Sequence, residues 1–368
     1  MHKKLYERKE ADALRHLRLP AGKIDFCSND YLGITKGTLI EKELHGQPAS
    51  PLATGSTGSR LLTGNYALIE ETETVLAKFH DALSGLLFNS GYDANIGLLS
   101  CVPQRGDTVL YDYLIHASLR DGIRLSFAQG IPFAHNNLEE LEKKLQTATG
   151  TRFVVTESVF SMDGDLAPLE AMAALCTRYE AQLIIDEAHA TGVVGPQGAG
   201  LIQALNLQRA CFARVHTFGK ACGAHGAIVL GSELLRNYLI NFCRSFMYTT
   251  APPPVSVAAI RTSYLIFPQL DAERRHLAQL IEQFQAASLP YKKLVSHTPV
   301  QGVVVPGNSQ VKQVAAQLQE RGFDIRPILY PTVPKGEERL RIVLHAFNTE
   351  EEVGKLMRCL NSQGSDFL

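Results

Sequence analysis

The middle of the chain alternates between strand-like and helix-like segments, and this alternation restricts the fold more than any other feature of the sequence. RFVVTES (152–158) is apolar and rich in β-branched residues, and PLEAMAALCTRYE (168–180) has its apolar residues at helical spacing. Three more strand-like segments follow: AQLIIDEAH (181–189), ARVHTFGK (213–220) and GAIVLG (226–231). This order predicts an α/β fold with a mainly parallel sheet and helices on both faces.

Polar side chains stand where the predicted strands end. Glu157, Asp186 and Lys220 each lie at or just after the last apolar residue of a strand. In open parallel sheets, ligands bind beyond the carboxyl ends of the strands. The sequence therefore predicts a ligand site formed by these strand ends.

The length and one proline run predict the domain organisation. The 368 residues are enough for a large domain and a smaller one. APPP, at residues 251–254, is a break that neither a helix nor a central strand tolerates. We therefore predict an N-terminal segment over 1–40, a large domain over 41–254 and a small α+β domain over 255–368.

Charge, hydropathy and cysteine spacing exclude several classes of protein. The net charge of −1 and the absence of basic runs disfavour binding to nucleic acid or to a membrane surface. The apolar stretches are too short to span a bilayer, and the charged N-terminal segment, which we expect to be a helix, lacks the apolar core of a signal peptide. Seven widely spaced cysteines without a C-x-x-C pair predict reduced thiols in the cytoplasm and no metal site.

The segment HTFGKACG places a lone lysine, Lys220, among small residues. A partly desolvated lysine is a neutral nucleophile that can react with an aldehyde, although a surface lysine is the commoner case. Asp186 could hold a ring nitrogen protonated, as pyridoxal 5'-phosphate (PLP) requires, and His189 could donate to the phenolate oxygen of that cofactor. A helix cap and a loop histidine are the alternatives for these two residues.

Three further segments could contact such a cofactor. Ser90, Gly91 and Tyr92 precede a predicted helix, whose N-terminus favours a phosphate, although an ordinary serine–glycine cap has the same pattern. His116 could stack on a flat ring or simply begin a helix. The glycine-rich segment 53–65 could approach a ligand closely or form a surface loop. Neither a P-loop nor a clean G-x-G-x-x-G is present, which disfavours a dinucleotide site.

Nearly the whole chain resembles the α-oxoamine synthases, PLP-dependent acyltransferases of the aspartate-aminotransferase-like fold (fold type I). The resemblance rests on these motifs, in chain order: FCSNDYLG, GSTGSRLLTGN, NSGYDAN, HASL, TESVFSMDGDLAPL, DEAHATGVVG, HTFGKACGAHGA, YTTAPPP and YPTVPKGEERLRI. It implies a homodimer with shared active sites. It also implies a decarboxylative condensation of L-alanine with a pimeloyl thioester, carried by coenzyme A or acyl carrier protein.

The resemblance also implies roles for individual residues. Lys220 would bind PLP covalently and remove the α-proton of the amino acid, Asp186 would pair with the ring nitrogen, and His189 would contact the phenolic oxygen. His116 would stack on the ring and polarise the acyl carbonyl. The other implied cofactor contacts are Gly91, Tyr92, Ser161, Thr217 and, from the second subunit, Thr249 and Thr250. The implied substrate contacts are Arg15, Asn29, Thr332 and Arg341.

Some positions depart from the pattern of the family, and two alternative functions stay open. We expect Arg60, in GSTGSR, to contact the acyl thioester differently, and Glu187, in DEAH, to point away from Asp186 with little effect. Cys222 and His225 stand where small residues are common. One alternative is a related synthase that joins glycine or serine to another acyl-CoA, as 2-amino-3-ketobutyrate CoA ligase does. The other is a non-catalytic binding protein that kept the fold.

Overall fold

The structure is a computed structural model that describes residues 1–17, 19, 22–46 and 52–364. Its strands are β1 Ile24–Asp25, β2 Ser84–Phe88, β3 Thr108–Asp112, β4 Gln129–Phe133, β5 Arg152–Glu157, β6 Gln182–Asp186, β7 Cys211–Thr217, β8 Ala227–Gly231, β9 Lys292–Lys293, β10 Val300–Val304, β11 Phe323–Asp324, β12 Arg326–Ile328 and β13 Arg339–Val343. Its α-helices are α1 His2–Glu10, α2 Leu39–Gly46, α3 Ala67–Phe79, α4 Gly91–Cys101, α5 Ala117–Leu125, α6 Leu138–Thr147, α7 Leu169–Arg178, α8 Leu201–Ala204, α9 Glu233–Phe242, α10 Arg244–Met247, α11 Pro254–Ile266, α12 Asp271–Ala286, α13 Asn308–Glu320 and α14 Glu350–Gly364.

The chain forms two compact units. The larger unit consists of Leu32–Phe160 and Leu166–Asp271, and the smaller unit of Met1–Tyr31, Ser161–Asp165 and Ala272–Leu368. The domain limits predicted from the sequence stay a prediction. They differ from these units, because residue 254 begins α11 and this helix belongs to the larger unit.

The larger unit is built on a seven-stranded sheet in the order β2-β8-β7-β6-β5-β3-β4. The strands from β4 to β7 along this order are parallel, whereas β8 is antiparallel to both of its neighbours. Val154, Ile184 and Val215 of the central strands are fully buried, as expected for a parallel sheet covered on both faces. The predicted α/β fold with a mainly parallel sheet is confirmed.

The register of the sheet brings the predicted strand ends together. Glu157 at the end of β5 lies opposite Asp186 at the end of β6, and Asp186 lies opposite Val215 of β7. Since β7 ends at Thr217, Lys220 follows three residues beyond that strand. The carboxyl ends of three neighbouring parallel strands thus form one edge of the larger unit, where a ligand site is expected.

The smaller unit contains an antiparallel sheet in the order β12-β13-β10-β9 and a parallel pair of β1 with β11. Its last helix, α14, begins with a capping box, because Thr349 Oγ1 accepts from the Glu352 N–H and Glu352 Oε2 accepts from the Thr349 N–H. Thr349 is therefore the N-cap of α14.

The N-terminal helix is shorter than the sequence predicts. Helix α1 ends at Glu10 and buries none of its side chains. Asp12 follows in the left-handed region, with a φ of 49°, and Asn308 and Ser309 of α13 bond to Ala11 and Asp12. These contacts replace the continued helix. Among the described residues, the helices are all too short or too polar to cross a bilayer.

Candidate active site

Asp186 is the central carboxylate at the end of the sheet. It is 6% exposed, its Oδ1 accepts from the Ala188 N–H at 2.8 Å, and its Oδ2 accepts from Asn95 Nδ2 at 2.7 Å. A buried carboxylate held by donors can bind a cationic ring N–H. Asp186 therefore occupies the position and the environment that the sequence predicts for a pyridinium partner.

A candidate phosphate site lies between the start of α4 and the end of β7. Ser90 caps α4, since its Oγ accepts from the Asp93 N–H at 3.1 Å, so the serine cap that was the alternative interpretation of this segment is present. A Cβ at Gly91 would lie 3.0 Å from Thr217 Oγ1, so a larger residue would require the Thr217 side chain to shift by a few tenths of an ångström. Thr217 Oγ1 is buried and has no hydrogen-bond partner among the residues that the structure describes.

These features fit the phosphate of PLP. The first N–H groups of a helix lack partners within the helix, and its dipole favours an anion. The phosphate would also supply the missing acceptor for the Thr217 hydroxyl. Tyr92, the next residue of α4, is exposed and donates from its hydroxyl to Asp121 Oδ2 at 2.7 Å.

His116 is the N-cap of α5, so the helix-start interpretation of this residue is correct. Its Nδ1 accepts from the Ser118 N–H at 3.2 Å and lies 2.8 Å from Ser118 Oγ. Desolvation lowers the pKa of His116; Asp186 and Asp121 act against it, and Lys220 acts with it. The imidazole is thus held neutral while its other edge stays open to solvent.

Lys220 and His189 lie in the loops that follow β7 and β6. Lys220 is half-buried and lies in a tight turn, where the Gly223 N–H donates to the Lys220 carbonyl at 2.9 Å. His189 is buried, 5% exposed, in the turn after Asp186. Four predicted site residues therefore lie at the ends of β6 and β7 or in the loops that follow these strands: Asp186, His189, Thr217 and Lys220.

Thr249 and Thr250 lie against the end of β2 in the same chain. Asn89 Nδ2 donates to Thr249 Oγ1 at 3.2 Å and to the Thr250 carbonyl at 2.8 Å. The glycine-rich segment 53–65 contacts the residue that follows Thr250, because Ser56 Oγ donates to the Ala251 carbonyl at 2.7 Å. This segment is therefore an ordered part of the larger unit.

The predicted substrate residues form two hydrogen-bonded pairs in the smaller unit. Arg341 donates from Nη2 to Asn29 Oδ1 at 3.0 Å, and Arg15 donates from Nη2 to Thr332 Oγ1 at 3.1 Å. Arg341 Nε also donates to the carbonyl of Ser161 at 2.8 Å. Ser161, predicted as a cofactor contact, thus belongs to the smaller unit and bonds to a predicted substrate residue.

Sequence reasoning assigned Arg60 wrongly. Its side chain is 5% exposed and donates to Glu73 Oε1 and to Asn65 Oδ1, both at 2.7 Å. Glu73 Oε1 also accepts from the Leu87 N–H at 2.9 Å. Arg60 is therefore a structural residue that ties segment 53–65 to α3 and β2, and its guanidinium is used within the protein rather than on an acyl thioester.

Sequence reasoning also missed two buried residues, Asn95 and Ser118. Asn95 Nδ2 donates to Ser118 Oγ at 2.9 Å in addition to Asp186. Asn95 lies four residues after Gly91, one helical turn from the candidate phosphate site, and this spacing is the signal that could have found it.

Comparisons with known proteins identify the family of the chain. Residues 21–360 match the family Aminotransferase class I and II. The 8-amino-7-oxononanoate synthase of Emericella nidulans is 42% identical over 93% of this chain and 89% of its own length. Among solved structures, that enzyme from Francisella tularensis aligns with a TM-score of 0.79 at 27% identity, over 94% of this chain and 99% of the other. A structure of SPT (serine palmitoyltransferase) with PLP has a TM-score of 0.85 at 26% identity, over 94% and 88%.

The chain belongs to the aminotransferase class I and II family. Within it, the relatives are named 8-amino-7-oxononanoate synthase, which is a PLP-dependent acyltransferase of biotin biosynthesis. The sequence motifs resemble this enzyme more than other α-oxoamine synthases, and the comparisons confirm that prediction.

Proposed function

We propose that this protein condenses L-alanine with a pimeloyl thioester, with loss of CO2, to give 8-amino-7-oxononanoate in the cytoplasm. The proposal rests on two side chains close to the capped helix start at Gly91. One is the buried carboxylate of Asp186, and the other is the Thr217 hydroxyl, which has no hydrogen-bond partner among the described residues. The relatives named 8-amino-7-oxononanoate synthase support the choice of this reaction within the family; the one from Emericella nidulans is 42% identical to this chain.

The larger unit supplies the residues that would hold PLP. Asp186 would pair with the ring nitrogen and His189 with the phenolic oxygen, while Gly91 and Thr217 would contact the phosphate. Lys220 Nζ would bind the aldehyde carbon. Bound PLP supplies an electron sink that stabilises negative charge at the α-carbon of the amino acid. A buried aspartate beside the ring nitrogen keeps that nitrogen protonated, and protonation is the condition for this effect.

The chain's own residues carry the remaining tasks. Lys220 would act as the general base that removes the α-proton of the amino acid. Arg341, oriented by Asn29 and the Ser161 carbonyl, is suited to bind a carboxylate in bidentate fashion. Arg15 with Thr332 is the second polar pair assigned to substrate. His116 donates a hydrogen bond to the acyl carbonyl oxygen.

The same proposal includes a homodimer in which Thr249 and Thr250 reach the site of the partner subunit. Large apolar side chains near this segment support it: Leu62 and Tyr248 are 79% and 71% exposed. Exposed apolar surface of this kind is typical of a face that another chain covers. Sedimentation of the purified protein tests this part, and a monomer at working concentration would contradict it.

Thiol release from acyl-CoA tests the reaction. The PLP-loaded protein is given alanine, glycine and serine in turn, each with pimeloyl-CoA and with acetyl-CoA. We expect release to require alanine and pimeloyl-CoA, with 8-amino-7-oxononanoate identified by mass. Release with another pair alone would overturn the substrate assignment, and no release with any pair would overturn condensation with a coenzyme A thioester.

A second candidate function is the condensation of serine or glycine with another acyl-CoA. The TM-score of 0.85 with the SPT structure, against 0.79 with the Francisella tularensis enzyme, favours it. The higher sequence identity to the biotin-pathway relatives favours the first proposal instead. The serine and glycine arms of the thiol assay separate the two.

A further inference from the structure

A continuous chain of hydrogen bonds connects Asp186 to His116 inside the larger unit. Asp186 Oδ2 accepts from Asn95 Nδ2 at 2.7 Å, the same Nδ2 lies 2.9 Å from Ser118 Oγ, and Ser118 Oγ lies 2.8 Å from His116 Nδ1. Asn95 and Ser118 are 2% and 1% exposed. For buried polar side chains of this kind, the direction of each bond follows from which of the neighbouring atoms are donors and which are acceptors.

The direction of the Asn95 bonds follows from the chemistry of its neighbours. Asn95 Oδ1 is buried and has no partner among the described residues, whereas Nδ2 makes both contacts. The flipped amide would place Oδ1 2.7 Å from Asp186 Oδ2, which would bring two acceptors together. Both protons of Nδ2 are therefore donated, one to Asp186 and one to Ser118.

The state of His116 follows from the bonds of Ser118. Because Ser118 Oγ accepts from Asn95, its own proton is free to point at His116 Nδ1. The Ser118 N–H points at the same nitrogen at 3.2 Å. A ring nitrogen that accepts from a hydroxyl and from a backbone N–H carries no proton, and the shorter of the two bonds comes from the hydroxyl. Together they place the proton of the neutral ring on Nε2.

We propose that Asn95 and Ser118 are positioning residues that fix His116 as the Nε2–H tautomer. The imidazole then presents a hydrogen-bond donor, and not an acceptor, to the acyl oxygen of the thioester; this last part rests on the proposed function. The same amide of Asn95 restrains Asp186, so a single side chain orients both the carboxylate and the histidine.

The tautomer can be measured without cofactor or substrate. In apoprotein labelled with ring-15N histidine, long-range 1H–15N spectra report which nitrogen of each ring carries the proton, and His116→Gln identifies the His116 signals. At about pH 8, above the ordinary histidine pKa of about 6.5, we expect the proton on Nε2 alone. A proton on Nδ1, or a rapid mixture of both tautomers, would overturn the proposal.

Variants then test the two positioning residues. Ser118→Ala removes the bond from the hydroxyl to Nδ1, and Asn95→Ala removes the donor that orients this hydroxyl. Only the longer bond from the backbone N–H of residue 118, at 3.2 Å, then remains fixed on Nδ1, so we expect His116 to titrate at a higher pH and a fraction of the Nδ1–H tautomer to appear. We expect kcat/KM to fall about tenfold, the loss of one hydrogen bond to a catalytic group. Ser118→Thr keeps the hydroxyl and should restore the wild-type spectrum. Ser100→Ala is the matched control, because Ser100 Oγ bonds only to the Gly97 carbonyl in the same helix as Asn95.

The outcomes separate this inference from the proposed function. If the tautomer and its response to Ser118→Ala are as expected but the wild-type protein releases no thiol, the function fails and the positioning role stands. If activity falls in Ser118→Ala while the His116 spectrum matches wild type, Ser118 acts on activity by another route and the inference fails. Besides Asp186, the charges of Asp121 and Lys220 also act on the pKa of this ring. A change in that pKa in a variant is therefore assigned to the lost hydrogen bond only where these two residues are unchanged.

Discussion

Two neighbouring carboxylates at the end of β6 have very different surroundings. Asp186 accepts one bond from a backbone N–H and one from the side chain of Asn95. Glu187 accepts both of its bonds from the backbone, with Oε2 2.8 Å from the Leu201 N and Oε1 2.9 Å from the Ile202 N. Glu187 is fully buried, and burial raises its pKa to about 7 despite the two backbone donors.

The difference separates a site residue from a structural one. The partners of Glu187 are the first N–H groups of α8, and Gly200 fits beside it because a Cβ there would lie 2.1 Å from Glu187 Oε2. No room remains there for a ligand. Asp186 instead accepts a hydrogen bond from Asn95 of α4, the helix that begins at the candidate phosphate site. We therefore expect changes at Asp186 to affect activity and changes at Glu187 to affect stability.

The largest effect is expected for Asp186→Asn. This substitution keeps the size of the side chain and removes its charge, so a protonated ring nitrogen would lose its partner. Breaking a buried charge pair costs about 3–5 kcal/mol, and kcat/KM should therefore fall about 10³-fold or more. Steady-state thiol release measures this loss. The melting temperature should change little, and an active Asp186→Asn protein would remove the distinction between the two carboxylates.

Glu187→Ala should give the reverse result. It leaves the N–H groups of Leu201 and Ile202 buried without an acceptor, at about 1–3 kcal/mol each. We expect the free energy of unfolding in urea to fall by about 3–4 kcal/mol, and by less in Glu187→Gln, which keeps one acceptor. The kcat of the folded fraction should stay within a few-fold of wild type. A stable but inactive Glu187→Ala protein would make Glu187 a site residue.

The raised pKa of Glu187 predicts a pH dependence of stability. Burial raises this pKa from 4.5 to about 7, so the folded protein binds a proton that the unfolded protein releases. The stabilisation is fully present below about pH 4.5 and is lost as the pH rises through about 7, in total about 3 kcal/mol. The difference in unfolding free energy between wild type and Glu187→Gln should shrink by this amount from pH 4.5 to 8. The contributions of His80 and His216 are common to both proteins and cancel in this difference. A difference in unfolding free energy that stays constant with pH would therefore contradict the assignment of this pH dependence to Glu187.

The sequence was sufficient to predict which strands end at the site. The apolar segments ending near Glu157, Asp186 and Lys220 became β5, β6 and the turn after β7, because burial on both faces leaves a clear apolar pattern. It was also sufficient to predict that a helix begins after Ser90, which is the N-cap of α4. These features depend on residues close together in the chain, where periodicity and turn chemistry are informative.

The contacts between distant elements could not be predicted in the same way. Asn95 and Asp186 are 91 residues apart, and they meet in a unit whose sheet has β8 antiparallel between β2 and β7. Alternation of strands and helices does not determine that order. Arg60 was assigned to a substrate for a different reason: its partner Glu73 is only 13 residues away, but the sequence does not show that the two side chains face each other.

The smallest effect is expected from removing a single buried hydroxyl, that of Thr217. Thr217 Oγ1 is buried and lacks a hydrogen-bond partner among the described residues, in contrast to both oxygens of Glu187. Thr217→Val keeps the shape of the side chain and removes only the hydroxyl, so the apoprotein should lose no stability and can gain some. If the hydroxyl donates to the PLP phosphate, the Kd of PLP should rise about tenfold, measured by absorbance titration of apoprotein.

Thr156→Val is a control, since Thr156 Oγ1 is buried in β5 and donates to the Glu157 carbonyl. An unchanged Kd in Thr217→Val, or a fall in stability equal to that of the control, would show that this hydroxyl serves the fold and not the cofactor.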